Sequence, residues 1–147
     1  MTPSPNWRDR FMALAAELCR ARGEDPPSQR CDPEQPLQIR LQLDGVAFEV
    51  LHMNAIGERS ERFELRCRFG SVPYQQEEVA LRQALETNLH LGRLQAGIFC
   101  LDEKSNELVL SLQQSLRHAS GEKLLSELGD MAAMATQWRR IHCPAMV

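Results

Sequence analysis

The chain lacks long apolar runs. Its longest stretch free of Asp, Glu, Lys and Arg is nine residues, Leu108 to Leu116, too short for a membrane-spanning helix, so no membrane insertion is expected. It also lacks a surplus of either charge. Net charge is −3; residues 1–70 hold 10 basic against 11 acidic side chains and residues 71–147 hold 7 against 9. Aromatic residues are only 5% of the total. With neither a basic face nor stacking aromatics, nucleic acid is not an expected partner.

The catalytic inventory is equally thin. There is no phosphate-binding glycine loop, no Gly-x-Ser-x-Gly elbow and no His-Glu-x-x-His pair. His52, His90, His118 and His142 stand far apart, none at metal-ligand spacing from a cysteine. No catalytic residue, metal or cofactor is therefore expected. Cys19, Cys31, Cys67, Cys100 and Cys143 are odd in number and form no Cys-x-x-Cys pair. Residues 1–10 carry Trp7, Arg8, Asp9 and Arg10 where a signal peptide would have an apolar core. Together these features predict free thiols in a reducing cytoplasm.

What the chain does have is the composition of one folded domain over residues 1–147: 43% hydrophobic and 25% charged. Trp7, Phe11, Leu14 and Leu18 fall on one face of a helix from about Asn6 to Arg22, which Gly23 ends. Residues 24–36 contain Pro26, Pro27, Pro33 and Pro36 and read as an irregular connector. Leu37, Ile39, Leu41 and Leu43 alternate with polar residues, Asp44-Gly45 suits a two-residue hairpin turn, and Val46, Phe48 and Val50 resume the alternation. A polar turn over Asn54–Ser60 precedes a third strand with Phe63, Leu65, Cys67 and Phe69 on one face. A helix follows from Gln75 to Leu91, with Gly92 just past its end, then strands Leu94–Leu101 and Glu107–Leu116 around the turn Asp102–Asn106. Ser120 caps a last helix reaching His142, along which Leu124, Leu128, Met131, Ala135 and Trp138 repeat at helical spacing. The order predicts an α+β fold, α-β-β-β-α-β-β-α, with a twisted antiparallel five-stranded sheet.

Cys67 and Cys100 read as inward-facing strand residues, packed rather than reactive. Glu77 and Glu78 suit the positive end of a helix dipole. Arg40, Arg62, Arg66 and Arg68 read as a solvated outer sheet face interrupted by Glu64, in preference to a basic strip that would hold an acidic stretch of a partner.

The informative feature is apolar surface in excess of what one sheet face needs. Leu81, Leu85 and Leu89 suit either the core or the same helix of a second copy, and Ala80 and Ala84 permit close helix approach. The first helix and the first hairpin leave room for an apolar groove, and such grooves bind something.

Three passages then resemble class I type III secretion chaperones, the CesT-like or Tir chaperone family. They are LQIRLQLDGVAFEVLHM followed by RFELRCRFGSVP; ALRQALETNLHLGRLQAGIFCLDEKSNELVLSLQQSL, with Glu86-Thr87-Asn88-Leu89 at its centre; and LLSELGDMAAMATQWRRIH. The resemblance implies a bacterial cytoplasmic homodimer without enzymatic activity. Such a chaperone holds the N-terminal region of a virulence effector in extended form and passes it to the secretion apparatus and its ATPase. By that resemblance Leu81, Leu85, Leu89, Leu94, Ala96 and Ile98 form the dimer interface. Phe11, Leu14, Leu18, Leu41, Leu43, Phe48 and Val50 line apolar cargo patches. The chain departs from the family in its long, proline-rich 24–36 connector and its mild net charge. Two other readings stay open at this stage: a non-secretory α+β dimer that binds a folded protein or small ligand, and a small thiol- or histidine-dependent enzyme.

Overall fold

The computed structural model describes residues 6–26, 35–53, 60–94 and 97–144, without the side chain of Leu94. The elements are α1 (Trp7–Ala21), β1 (Leu37–Leu43), β2 (Val46–His52), β3 (Arg62–Ser71), α2 (Glu77–Leu94), β4 (Ile98–Asp102), β5 (Glu107–Ser115) and α3 (Gly121–His142), with one 3-10 turn, Tyr74–Gln76, ahead of α2. The strands form one antiparallel sheet in the order β1-β2-β3-β5-β4. This is the expected α+β architecture. Most of the 24–36 connector (27–34, including Cys31) and most of the Asn54–Ser60 turn (54–59) lie outside the described residues.

Local chemistry sets the element ends. The Asn6 side chain accepts the Asp9 amide at the start of α1, and Ser120 accepts the Lys123 amide at the start of α3. Asp44 and Gly45 both take positive φ, 53° and 77°, as the right-handed twist of a two-residue hairpin requires. One boundary differs from expectation. Gly92 does not end α2, which runs through it to Leu94, and β4 begins only at Ile98. A helical glycine costs about 1 kcal/mol against alanine and does not by itself stop a helix. The chain reverses instead at Gly97, where φ is +114° and an added Cβ would stand 2.8 Å from the Ser111 carbonyl oxygen.

Alternation puts Val46, Phe48 and Val50 of β2 and Phe63, Leu65, Cys67 and Phe69 of β3 on one sheet face, and all are buried. Helix α3 lies across β3, β2 and β1 on that face and packs against α1. Its Leu124, Leu128, Met131, Ala132 and Ala135 meet Phe11, Leu14 and Leu18 of α1 in one core. Helix α2 packs at the sheet edge against β4, and its Ala80 and Ala84 are buried in the core. The core thus spans β1, β2, β3 and β5, and the outward leucines of α2 stay exposed.

Candidate functional site

The uncovered side of α2 carries leucines where a solvated helix would carry charges. Leu85 and Leu89, one turn apart, are 71% and 61% exposed, and Ile98 on neighbouring β4 is 51% exposed. Leu81 is half-buried against the core. Of the six expected interface residues, three therefore stand outward on adjoining elements, and Leu81 joins α2 to the body of the molecule. Leu94 closes α2 instead of opening a strand, and Ala96 lies outside the described residues.

The expected cargo residues divide differently. Phe11, Leu14, Leu18, Phe48 and Val50 are at most 3% exposed. They sit in the core, where the apolar stripe of α1 meets α3 and the sheet. Leu41 and Leu43, on the edge strand β1, are only partly covered. They are the members of the set that an incoming chain can reach without displacing α1.

The two sheet edges are not alike. In the two-residue hairpin Leu43 pairs with Val46, Leu41 with Phe48 and Ile39 with Val50. Those residues turn their backbone groups toward β2, and Gln38, Arg40 and Gln42 turn theirs to the outside. Arg22 from the end of α1 donates to the Gln42 carbonyl at 2.6 Å. On the opposite edge, Asn88 of α2 engages both backbone groups of Phe99: its Nδ2 donates to the carbonyl at 3.1 Å, and its Oδ1 accepts the amide at 2.6 Å. The sequence pattern marks Asn88 only as part of the Glu86–Leu89 passage, with no role of its own. The available signal was an asparagine inside a helix, where its side chain has no intrinsic reason to be.

Two of the four outer-face arginines, Arg66 and Arg68, belong to a paired network. Arg68 reaches Glu49 at 2.6 Å and Asp102 and Glu107 at 3.1 Å, and Arg66 reaches Glu64 at 3.2 Å. The hydrogen bond from Arg68 holds the Asp102 carboxyl below its usual range, helped by the Lys104 amide. These arginines are thus engaged by acids of their own chain. A second polar cluster lies inside. Arg8 Nε donates to His52 Nδ1 at 2.9 Å, His52 Nε2 meets the Ser60 carbonyl at 2.6 Å, and Phe11 stacks on the imidazole. At the far end, Arg139 of α3 donates to three carbonyls, those of Phe69, Gly45 and Arg68.

Nothing in these clusters resembles a reaction centre. Burial pushes the Cys67 thiol up to about 12, which keeps it protonated and inert. Cys100, expected inward, is exposed, because Phe99 and Leu101 pair opposite the inward Leu110 and Leu108 and place Cys100 on the other face. Among the described residues no three His, Cys, Asp or Glu side chains gather as a metal site, and no helix is long and apolar enough to cross a membrane.

The sequence pattern of the Tir chaperone protein (CesT) family matches residues 39–139, from β1 to the last turn of α3. The chain belongs to the CesT family. Solved structures share the fold. A chain of the ExsC–ExsE complex superimposes with a TM-score of 0.67 at 22% identity, covering 92% of this chain and 96% of that one. A chain of the HopA1–SchA chaperone–effector complex gives 0.64 at 18% identity, covering 94% and 99%. The Yersinia pestis type III secretion chaperone SycH, in complex with a stable fragment of YscM2, gives 0.63 at 18% identity, covering 87% and 98%. No curated protein matches in sequence. The family match begins inside β1, so α1 and the 24–36 connector, where this CesT chain departs from the expected pattern, fall outside it.

Proposed function

We propose that this chain is a type III secretion chaperone. It binds the N-terminal region of an effector in extended form and keeps that cargo soluble until it is passed to the secretion ATPase. The observation that carries this reading is the CesT family match across the whole sheet and the last helix. The neighbouring folds that are complexes of a chaperone with an effector support it.

Two copies meet through Leu85, Leu89 and Ile98, apolar side chains that stand exposed in the single chain. Each leucine or isoleucine removed from water there contributes about 1.5–3 kcal/mol. Cargo adds as a strand beside β1, where Gln38 and Arg40 offer unused backbone groups, and its apolar side chains settle against Leu41 and Leu43. Ordering an unfolded segment costs about 2–5 kcal/mol, so a large wrapped surface is needed, and two copies double it. The protein performs no chemistry of its own and acts in the bacterial cytoplasm.

Co-expression with the N-terminal segment of a candidate effector from a neighbouring gene tests this. The segment is expected to stay soluble, to co-purify, and to remain open to protease over much of its length. A segment found in inclusion bodies with or without the chain overturns the assignment.

A further inference from the structure

A central residue of an edge strand presents one amide donor and one carbonyl acceptor to whatever lies alongside it. On β4 that residue is Phe99, and the Asn88 side chain takes both groups at once. A carboxamide carries the same donor and acceptor as a peptide unit, so Asn88 occupies the place of a neighbouring strand. β4 is short, five residues, and Phe99 is the second of them. A cap there leaves too few consecutive backbone groups for another strand to pair. Among the described residues the β1 edge has no equivalent: Arg22 covers the Gln42 carbonyl at one end, and Gln38 and Arg40 face outward along the rest.

We infer that Asn88 is an edge cap that decides where extended chains add to this sheet. It closes β4, so an incoming strand pairs with β1, and two copies meet side by side through α2 without merging their sheets. Unprotected edges invite such merging, and natural sheets block it with charge, proline, bulges or a covering element. Here one asparagine on a covering helix does the blocking. The consequence for cargo rests on the chaperone reading, but the cap itself is tested without cargo.

Cys100 is the reporter. An antiparallel pair of β4 strands centred on residue 100 sets Cys100 opposite its copy as a non-hydrogen-bonded pair, with Cα atoms about 4.5 Å apart, inside the range a disulfide spans. In a chain carrying Cys19→Ser and Cys31→Ser, Asn88→Ala is expected to give several-fold more disulfide-linked dimer under mild copper–phenanthroline oxidation than the same chain with Asn88. Cys100→Ser is expected to abolish that product. Adding Leu101→Pro is expected to suppress it too, because proline on the edge removes a donor, whereas general loosening by the Asn88 change would not be cured by a proline. Equal cross-linking with and without Asn88 overturns the inference, as does cross-linking that survives Leu101→Pro. If the alanine variant does not fold, Asn88→Asp keeps the acceptor for the Phe99 amide, loses the donor, and is read in the same way.

Discussion

Arg8 and His52 fix each other's chemistry. The guanidinium has no lone pair to offer, so its Nε must donate and His52 Nδ1 must be bare; the Ser60 carbonyl must accept, so His52 Nε2 carries the hydrogen. The neutral ring is thereby specified at both nitrogens, and a second proton has no place without breaking the Arg8 bond. Burial lowers the His52 pKa below its usual 6.5, and the Arg8 charge acts the same way against the Ser60 hydrogen bond. A histidine that resists protonation when folded gives stability that is complete above pH 6.5 and is lost as pH falls from there toward the folded value, by at most about 1.4 kcal/mol per pH unit per proton.

Urea unfolding at pH 7.5, 6.5 and 5.5 should therefore show a falling midpoint. His52→Gln, which keeps one donor and one acceptor, should remove much of that dependence. Burial also lowers the His142 pKa, so His142 titrates in the same sense and accounts for a remainder. His142 meets two glutamine amides that can turn over, and its protonation state is less firmly imposed. Parallel pH profiles for the wild type and His52→Gln would contradict this account.

Two glycines of α3 should respond in opposite directions. At Gly121 a Cβ would lie 2.6 Å from the Glu17 carbonyl carbon and 2.8 Å from its oxygen, so α1 and α3 touch through that hydrogen atom. Gly121→Ala should destabilise by about 1–3 kcal/mol as the helices are forced apart. Gly129 has nothing within 4 Å of the same position, and Gly129→Ala should stabilise by about 0.5–1 kcal/mol through helix propensity. Thermal or denaturant unfolding of the two single variants checks both signs.

Arg139 ties the last turn of α3 to β3 and to the hairpin turn through three carbonyls. A lysine keeps the charge but cannot span them in one plane. Arg139→Lys should cost about 1–3 kcal/mol and should raise amide exchange in the last turn of α3. A change within experimental error of zero would show that these bonds exchange for water at no cost.

Leu85→Asp tests the outward face of α2. The side chain is exposed in the single chain and builds none of its core, so the variant should fold with unchanged circular dichroism and unfold at a similar midpoint. Its mass in solution should fall to one chain, because a carboxylate in an apolar interface is strongly disfavoured. A dimer of undiminished affinity would move the interface elsewhere.

The sheet was legible because each strand obeys a period of two, and the α1 and α3 stripes because they repeat at helical spacing. What patterning conveys is which side of an element is apolar, not what that side touches. Phe11, Leu14 and Leu18 share one face, as their spacing predicts, and that face is buried in the core with α3. Leu85 and Leu89 show the converse, the same kind of stripe left open because α2 sits at the sheet edge. Leu94 was misplaced because α2 runs on through Gly92 to include it, and Cys100 because Phe99 and Leu101, not Cys100, stand opposite the inward Leu110 and Leu108. Arg8 and Arg139 make polar contacts far along the chain that no local pattern announces, and Asn88 is marked locally only by being an asparagine inside a helix.

The central claim is that two copies hold one extended effector segment. Light scattering on the purified chain, alone and co-expressed with the candidate segment, tests it most directly. The account predicts a mass near twice 16.7 kDa alone, rising by a single cargo segment in the complex. A chain that stays at 16.7 kDa and leaves the segment in the pellet would contradict it.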